Sequence, residues 1–230
     1  MKIVIISDLH GNYDALSALP ERGDELWVLG DLVNYGPHPK QVVDFVRTKA
    51  AVVVRGNHDH SVGYDEDPRC TPRYAQMADE TRRFTDGVLG NEDKQFLRRL
   101  PLKAEIERDG KRFYLCHAIL SNPLYGYCPQ ESDKWPAELE MLNCDVLLVG
   151  HTHTPFINQI GKQAVVNPGS LGQPKTGKAD ACYAVFENGV FALKSFTYQV
   201  ERTIHAIEAM PVTLQVKHDL VTVLQTGSIS

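Results

Sequence analysis

Ala51-Val52-Val53-Val54-Arg55-Gly56-Asn57-His58-Asp59 decides how this chain is read. A short apolar run of β-branched residues, closed by glycine and followed by three polar side chains, is the pattern of a buried strand that delivers chemistry at its carboxyl end. Three other stretches have the same form. Ile3-Val4-Ile5-Ile6 leads into Ser7-Asp8-Leu9-His10, Leu26-Trp27-Val28-Leu29 into Gly30-Asp31, and Val146-Leu147-Leu148-Val149 into Gly150-His151-Thr152-His153. Strands that each present Asp, Asn or His at the same end place a site there.

Between these strands, residues 13–19 have helical spacing and stop at Pro20, with Asn12 as N-cap, and a second helix over 40–48 follows a loop over 31–39. The alternation predicts right-handed crossovers and a parallel sheet with helices on its faces, where ligands bind outside the carboxyl ends of the strands. From about 61 to 100 the character changes. Asp65-Glu66-Asp67-Pro68 and Thr71-Pro72 break the chain before two amphipathic stretches, 73–84 and 91–100, which read as helices. Lying directly after His58, they are either a small cap over the site or an ordinary surface pair.

Further on, 102–107 and 112–116 form a hairpin through Asp109-Gly110, and its second strand delivers His117. A helix over 134–142 leads to the strand at 145–149. Two more hairpins, 156–160 with 163–166 and 182–187 with 190–196, turn at Gly161-Lys162 and Asn188-Gly189, giving a second sheet to stack on the first. The tail over 200–209 is helical, breaks at Pro211 and resumes near Lys217. A single domain over 1–230, with the helical insertion at about 61–100, is the expected organisation.

The 230 residues are 43% hydrophobic with a formal net charge of -5, so no broad basic surface invites long nucleic acid. No apolar run is long enough to span a bilayer, and residues 1–6 are strand rather than signal peptide; a cytoplasmic location without membrane association is expected. The five cysteines, at 70, 116, 128, 144 and 182, are odd in number and never form Cys-x-x-Cys. They predict core fillers or free thiols rather than disulfides or a thiolate zinc site. Oligomeric state is left open.

Asp8, His10, Asp31, Asn57, His117, His151 and His153 together offer carboxylate, amide and imidazole ligands but no thiolate, which suits two borderline divalent ions. The i, i+2 spacing within Asp8-Leu9-His10 and His151-Thr152-His153 puts both side chains of each pair on one side of an extended strand end.

The order Asp8-Leu9-His10-Gly11, Gly30-Asp31, Gly56-Asn57-His58-Asp59, His117, Gly150-His151-Thr152-His153 resembles the calcineurin-like metallophosphoesterases, over nearly the whole chain. Asn167-Pro168-Gly169-Ser170-Leu171-Gly172-Gln173-Pro174 resembles the small bacterial and archaeal phosphodiesterase branch. The resemblance implies an α/β fold, a four-layer α/β/β/α sandwich of two mixed sheets. It implies Asp8, His10, Asp31 and His153 on one metal and Asp31, Asn57, His117 and His151 on the other, with Asp31 bridging. Manganese(II) or iron(II) is the expected pair, with nickel, cobalt or zinc as alternatives. The implied activity is hydrolysis of small phosphodiesters or nucleotides by in-line attack of a hydroxide shared between the metals, with Asp31, Asn57 and His58 catalytic and His58 set against the phosphate and leaving group. Dinucleoside polyphosphate hydrolysis is the alternative; a silent scaffold is less favoured because every ligand position is intact.

Serine/threonine protein phosphatases carry Gly-Asp-x-x-Asp-Arg-Gly where this chain has Gly30-Asp31-Leu32-Val33-Asn34-Tyr35-Gly36. The missing Asp and Arg argue against phosphoprotein substrates and leave Asn34 and Asp59 as alternative partners of His58. Arg55 is either a phosphate grip or, more simply, a structural charge. Ala118 follows His117 where many relatives carry glycine, which alters the turn and not the ligand. Tyr35, Tyr125 and Tyr127 are candidates to stack on a base or to pack. His38, His60 and Lys175 are candidates to line the pocket, with surface exposure favoured for each, and His205 and His218 receive no role.

Overall fold

Residues 1–228 are described by a computed structural model. In chain order they form β1 (Lys2–Ile6), α1 (Tyr13–Ser17), β2 (Glu25–Val28), α2 (Pro39–Lys49), β3 (Val52–Val53), α3 (Asn57–Tyr64), α4 (Pro72–Val88), α5 (Asn91–Arg99), β4 (Lys103–Arg108) and β5 (Lys111–Cys116). There follow α6 (Trp135–Glu140), β6 (Val146–Leu148), β7 (Phe156–Ile160), β8 (Gln163–Asn167), β9 (Ala181–Glu187), β10 (Val190–Phe196), α7 (Val200–Glu208) and α8 (Leu214–Thr226).

The strands make two five-stranded sheets, ordered β10-β9-β1-β2-β3 and β4-β5-β6-β8-β7. Within the first, β1, β2 and β3 are parallel and β9 runs antiparallel to β1; within the second, β5, β6 and β8 are parallel and flanked by antiparallel β4 and β7. Both sheets are therefore mixed, as expected, and the carboxyl ends of β1, β2, β3, β5 and β6 open toward the same place.

Strand alternation builds the layers. Ile3, Ile5, Trp27 and Leu29 of one sheet meet Phe113, Leu115, Val146 and Leu148 of the other, with the Phe113 ring 5.1 Å from Trp27 and from Phe186. On the outer faces, Val4, Ile6 and Val28 pack on Leu16, Val42, Val43 and Val46 of α1 and α2, while Leu147, Val149 and Val165 pack on Trp135 and Leu139 of α6. Each such side chain contributes roughly 1.5–3 kcal/mol by leaving water. The result is the four-layer α/β/β/α sandwich.

Two details depart from the sequence reading. The strand expected over 51–54 is paired in register only at Val52–Val53, although Ala51 N and Val54 N still donate to Leu26 O (2.9 Å) and Val28 O (3.0 Å); Arg55 N then donates to Pro101 O at 2.8 Å and the chain leaves β2. Asn57–Tyr64 is a helix with no amphipathic signal; Asp59 starts it by accepting from Gly56 N at 3.0 Å. The expected helices at 73–84 and 91–100 occur as α4 and α5, and α4 packs through Met77 and Ala78 on Ile207, Val216 and Leu220 of α7 and α8.

Candidate functional site

Five of the candidate ligands stand on left-handed backbone: Asp8 (φ 53), His10 (φ 44), Asp31 (φ 55), His151 (φ 64) and His153 (φ 61). Non-glycine residues hold such geometry at a cost on the order of 1–3 kcal/mol each, and only where their surroundings over-determine it. The surroundings here are tight: a Cβ at Gly56 would overlap the Asp31 carboxylate, and one at Gly150 would overlap Ser7 Oγ and Asp8. The Asn167–Pro174 stretch ties these turns together across the two sheets. Asn167 Nδ2 donates to Gly150 O (2.7 Å) and Thr152 Oγ1 (3.1 Å), and Ser170 Oγ donates to Asp8 O (2.8 Å).

Asp8, His10 and His153 converge, all of them buried. His10 Nδ1 donates to Val33 O at 3.1 Å and His153 Nδ1 to Gln173 O at 2.6 Å, which fixes both rings in the tautomer with a lone pair on Nε2. Those two Nε2 atoms face each other at 3.2 Å, and Asp8 Oδ1 lies 3.2 Å from His153 Nε2 with no hydrogen-bond donor of its own. Burial pushes both imidazoles below their ordinary pKa, with Lys175 adding to the effect on His153. Burial would raise the Asp8 carboxyl, but His153 and His117 outweigh it and hold it low. Two lone pairs and a carboxylate oxygen aimed at one point form a cradle for a cation.

Asp31, His117 and His151 form a second group. His117 Nδ1 donates to Leu29 O at 2.7 Å, and around its Nε2 lie Asp31 Oδ2 (3.3 Å), Asn57 Oδ1 (3.2 Å) and His151 Nδ1 (3.2 Å). Asp31 Oδ1 accepts from His58 N at 2.9 Å, so Oδ2 is left between the groups, 3.8 Å from His10 Nε2. Burial pushes His117 down, but Asp31 more than offsets this and raises it to about 9; burial and the neighbouring His117 bring His151 to about 3. Burial raises the Asp31 carboxyl, and His117 and His58 overcome that and keep it well below the usual range.

His10, Asp31 and His58 are also close enough to share a cation. Both ring nitrogens of His58 have other partners, however: Asn34 Nδ2 lies 2.9 Å from Nδ1 and Cys70 Sγ 3.5 Å from Nε2. Asp59 is not the partner of His58, since its carboxylate accepts from Asp31 N (2.8 Å), Leu32 N (2.8 Å) and Gly56 N (3.0 Å). Arg55 is structural: it is buried, donates to Arg98 O at 2.7 Å and stacks on Tyr64.

Over these groups lies a cavity of about 310 Å³ reached by Asp31, Asn57, His58, His151 and His153. Its walls correct one expectation: Lys175, for which the surface was favoured over the pocket, lines it. Tyr35, Tyr125 and Tyr127 all line the cavity, and Tyr35 is otherwise packed, with its ring 4.7 Å from His10 and 4.8 Å from His58. His60 instead faces Glu66, 3.3 Å away, and His38 faces Asp14 at 3.8 Å. Arg69, Cys70 and Tyr74, which no motif marked, form the wall contributed by the insertion; the breaks at Asp67-Pro68 and Thr71-Pro72 were the local hints of a turn there.

The family model for the calcineurin-like phosphoesterase superfamily domain matches residues 1–189. The chain belongs to that superfamily. A metallophosphoesterase from Sphaerobacter thermophilus superposes on this phosphoesterase with a TM-score of 0.83 at 28% identity, covering 99% of this chain and 100% of that one. The phosphodiesterase YfcE of Escherichia coli is 28% identical over 211 residues, 84% of this chain and 91% of that protein. A symmetrical bis(5'-nucleosyl)-tetraphosphatase of Vibrio vulnificus is 33% identical over 126 residues, 51% of this chain and 44% of that protein. The hydrolase reading of the sequence stands, and among the described residues no helix is long and apolar enough to cross a membrane.

Proposed function

We propose that this phosphoesterase hydrolyses small phosphodiesters and nucleotides at a centre of two divalent cations, manganese(II) or iron(II). Asp8, His10 and His153 would hold one and Asn57, His117 and His151 the other, with Asp31 Oδ2 between them. The observation that carries this reading is the His10–His153 contact: two Nε2 lone pairs 3.2 Å apart, beside an unpartnered buried carboxylate oxygen, are repulsive unless a cation joins them. When bound, such cations polarise phosphoryl oxygens and supply a nucleophile at neutral pH.

The chain's own residues do the rest. The backbone carbonyls of Val33, Leu29 and Gln173 hold three imidazoles in register. His58 lines the cavity, and although burial lowers its pKa, Cys70 and Asp31 raise it above the ordinary value, which favours the protonated form that a donor to the leaving oxygen needs. Asn34 anchors the other ring nitrogen. Asn34 Oδ1 is otherwise a buried acceptor without a donor, and an amide turned to place it at His58 Nδ1–H satisfies both groups.

The test is elemental analysis with steady-state rates on bis-p-nitrophenyl phosphate after chelation and reloading. About two ions per chain and activity that returns with manganese are expected; activity untouched by a chelator would overturn the reading. Hydrolysis of dinucleoside polyphosphates is the second reading, favoured by Tyr125 and Tyr127 in the cavity wall.

A further inference from the structure

Two cations stand over the cavity. Lys175 Nζ lies 4.5 Å from the centroid of the Tyr74 ring, and Arg69 Cζ 4.5 Å from that of Tyr125. They come from different parts of the chain, Arg69 from the segment entering α4 and Lys175 from directly after the Asn167–Pro174 stretch, yet both line the cavity that holds His58 and His153. Among the described residues neither side chain has a carboxylate within the 4.0 Å of an ion pair, whereas Arg82, Arg108 and Lys194 are paired with Asp65, Glu25 and Glu21. Asp67, the acid nearest Arg69 in sequence, instead accepts from the Arg69 backbone N–H at 2.6 Å. That contact steadies Arg69 at φ 56, left-handed backbone that an arginine adopts only under constraint.

A ring face orients a cation without neutralising it, so each keeps its charge for an anion entering the cavity. The two occupy different depths. Lys175 comes two residues after Gln173, whose O fixes His153, and so stands on the ligand side of the cavity. Arg69 stands on the side of the insertion, against Tyr125. A diester with one phosphate brings a single negative charge, which the metal-binding groups and their cations consume. Lys175, half-buried, and Arg69, exposed at the rim, would then remain without an ionic partner.

We propose that Lys175 and Arg69 form a second anion subsite that takes phosphates adjoining the scissile one, making nucleoside polyphosphates and other esters with neighbouring phosphates the preferred substrates. This rests on the phosphoesterase reading of the same cavity. Lys175 serves as the point charge nearer the cleaved bond, and the Arg69 guanidinium as a fork for an outer phosphate.

The test compares the manganese-loaded full chain with Lys175→Met, Arg69→Gln and the double variant, and with Lys175→Arg as the charge-conserving control. Calorimetry measures the binding of β,γ-methylene ATP, with and without chelation of the metal, and kinetics compare ATP with bis-p-nitrophenyl phosphate. Each single variant should weaken analogue binding about tenfold, roughly the loss of one charge-assisted contact. Each should lower kcat/KM for ATP, through KM, by at least about tenfold more than for the diester, with partial recovery in Lys175→Arg. Unchanged analogue binding in the double variant, or equal losses on both substrates, would overturn the subsite. If the wild-type protein hydrolyses neither substrate, the phosphoesterase reading fails, and the binding measurements still decide whether Lys175 and Arg69 hold polyphosphate.

Discussion

Asn34 stands 2.9 Å from His58, side chain to side chain, and both are buried. A neutral amide here holds the imidazole in place without the negative charge by which a carboxylate at the same position would bind its proton more tightly. Asn34→Ala should therefore keep metal content and substrate KM while lowering kcat about tenfold to a hundredfold, the scale on which loss of orientation acts through a general acid. A raised KM with unchanged kcat would show that Asn34 serves binding instead.

His58→Ala should retain its metals and lose hydrolysis by about two to four orders of magnitude. The loss should shrink as the leaving group improves, because nitrophenolate departs without a proton. A series of aryl esters of graded pKa measures this, and a loss independent of the leaving group would assign His58 to charge stabilisation.

Asp31 Oδ2 is the one carboxylate oxygen near both groups, 3.3 Å from His117 Nε2 and 3.8 Å from His10 Nε2. Asp31→Asn should weaken both metal sites together, whereas His153→Ala should empty one. Saturating metal should also raise the unfolding free energy of the wild-type protein by about 2.7 kcal/mol per site at a hundredfold excess over Kd. Elemental analysis and thermal melts check this; full metal content in Asp31→Asn would refute the shared site.

His117 couples metal binding to pH. Its pKa in the metal-free protein is about 9, lowered by burial but raised further by Asp31, so at pH 7.5 Nε2 carries a proton that a cation must displace. Because the folded value lies above the ordinary 6.5, this group's stabilisation of the metal-free fold is complete below pH 6.5 and is lost as pH rises through about 9. His10, His151 and His153 are shifted the other way and have no proton to lose. Metal titrations in buffers of different ionisation enthalpy should report about one proton more released at pH 7.5 than above pH 9, any proton from metal-bound water being common to both. The same release at both pH values would contradict the charged His117.

The sheets were legible because their signals are local: the continuous apolar runs of β1 and β2, and the turn dipeptides Asp109-Gly110 and Asn188-Gly189, both present as turns with the first residue at positive φ. The convergence of Asp8, His10, Asp31, Asn57, His117, His151 and His153 was legible for the same reason, since each follows a strand. What escaped is set by contacts distant in sequence. Nothing near Lys175 shows that Tyr74 holds it, nothing near Arg69 points to Tyr125, and the burial of Tyr35 depends on α4 and α8 folding over it. α3 escaped because its polar residues face the site, leaving no apolar stripe to read.

Asn57 joins the ligand groups to the insertion, offering Oδ1 to the cluster at His117 while Nδ2 donates to Pro68 O at 2.8 Å. The segment from Pro68 to Tyr74 is the wall that carries Arg69 and Cys70, so this hydrogen bond, with the contact of Cys70 Sγ on His58 Nε2, sets where the wall stands relative to the reacting groups. We expect the insertion thereby to admit small esters and turn away folded phosphoproteins. Deleting α4 would not test this cleanly, because Met77 and Ala78 belong to the core shared with α8. Asn57→Asp is the sharper change: it keeps an oxygen for the metal but has no donor for Pro68 O, leaving a buried carbonyl unpaired at a cost of about 1–3 kcal/mol unless the wall moves. The variant should hold its metals, lose specificity for bis-p-nitrophenyl phosphate severalfold through KM, and gain relative activity on a phosphopeptide. Metal content, the ratio of the two specificity constants and hydrogen exchange over residues 66–74 measure the three effects. An unchanged ratio alongside faster exchange would show that the wall moves without selecting substrates, and an unchanged exchange rate would show that Asn57 does not hold it.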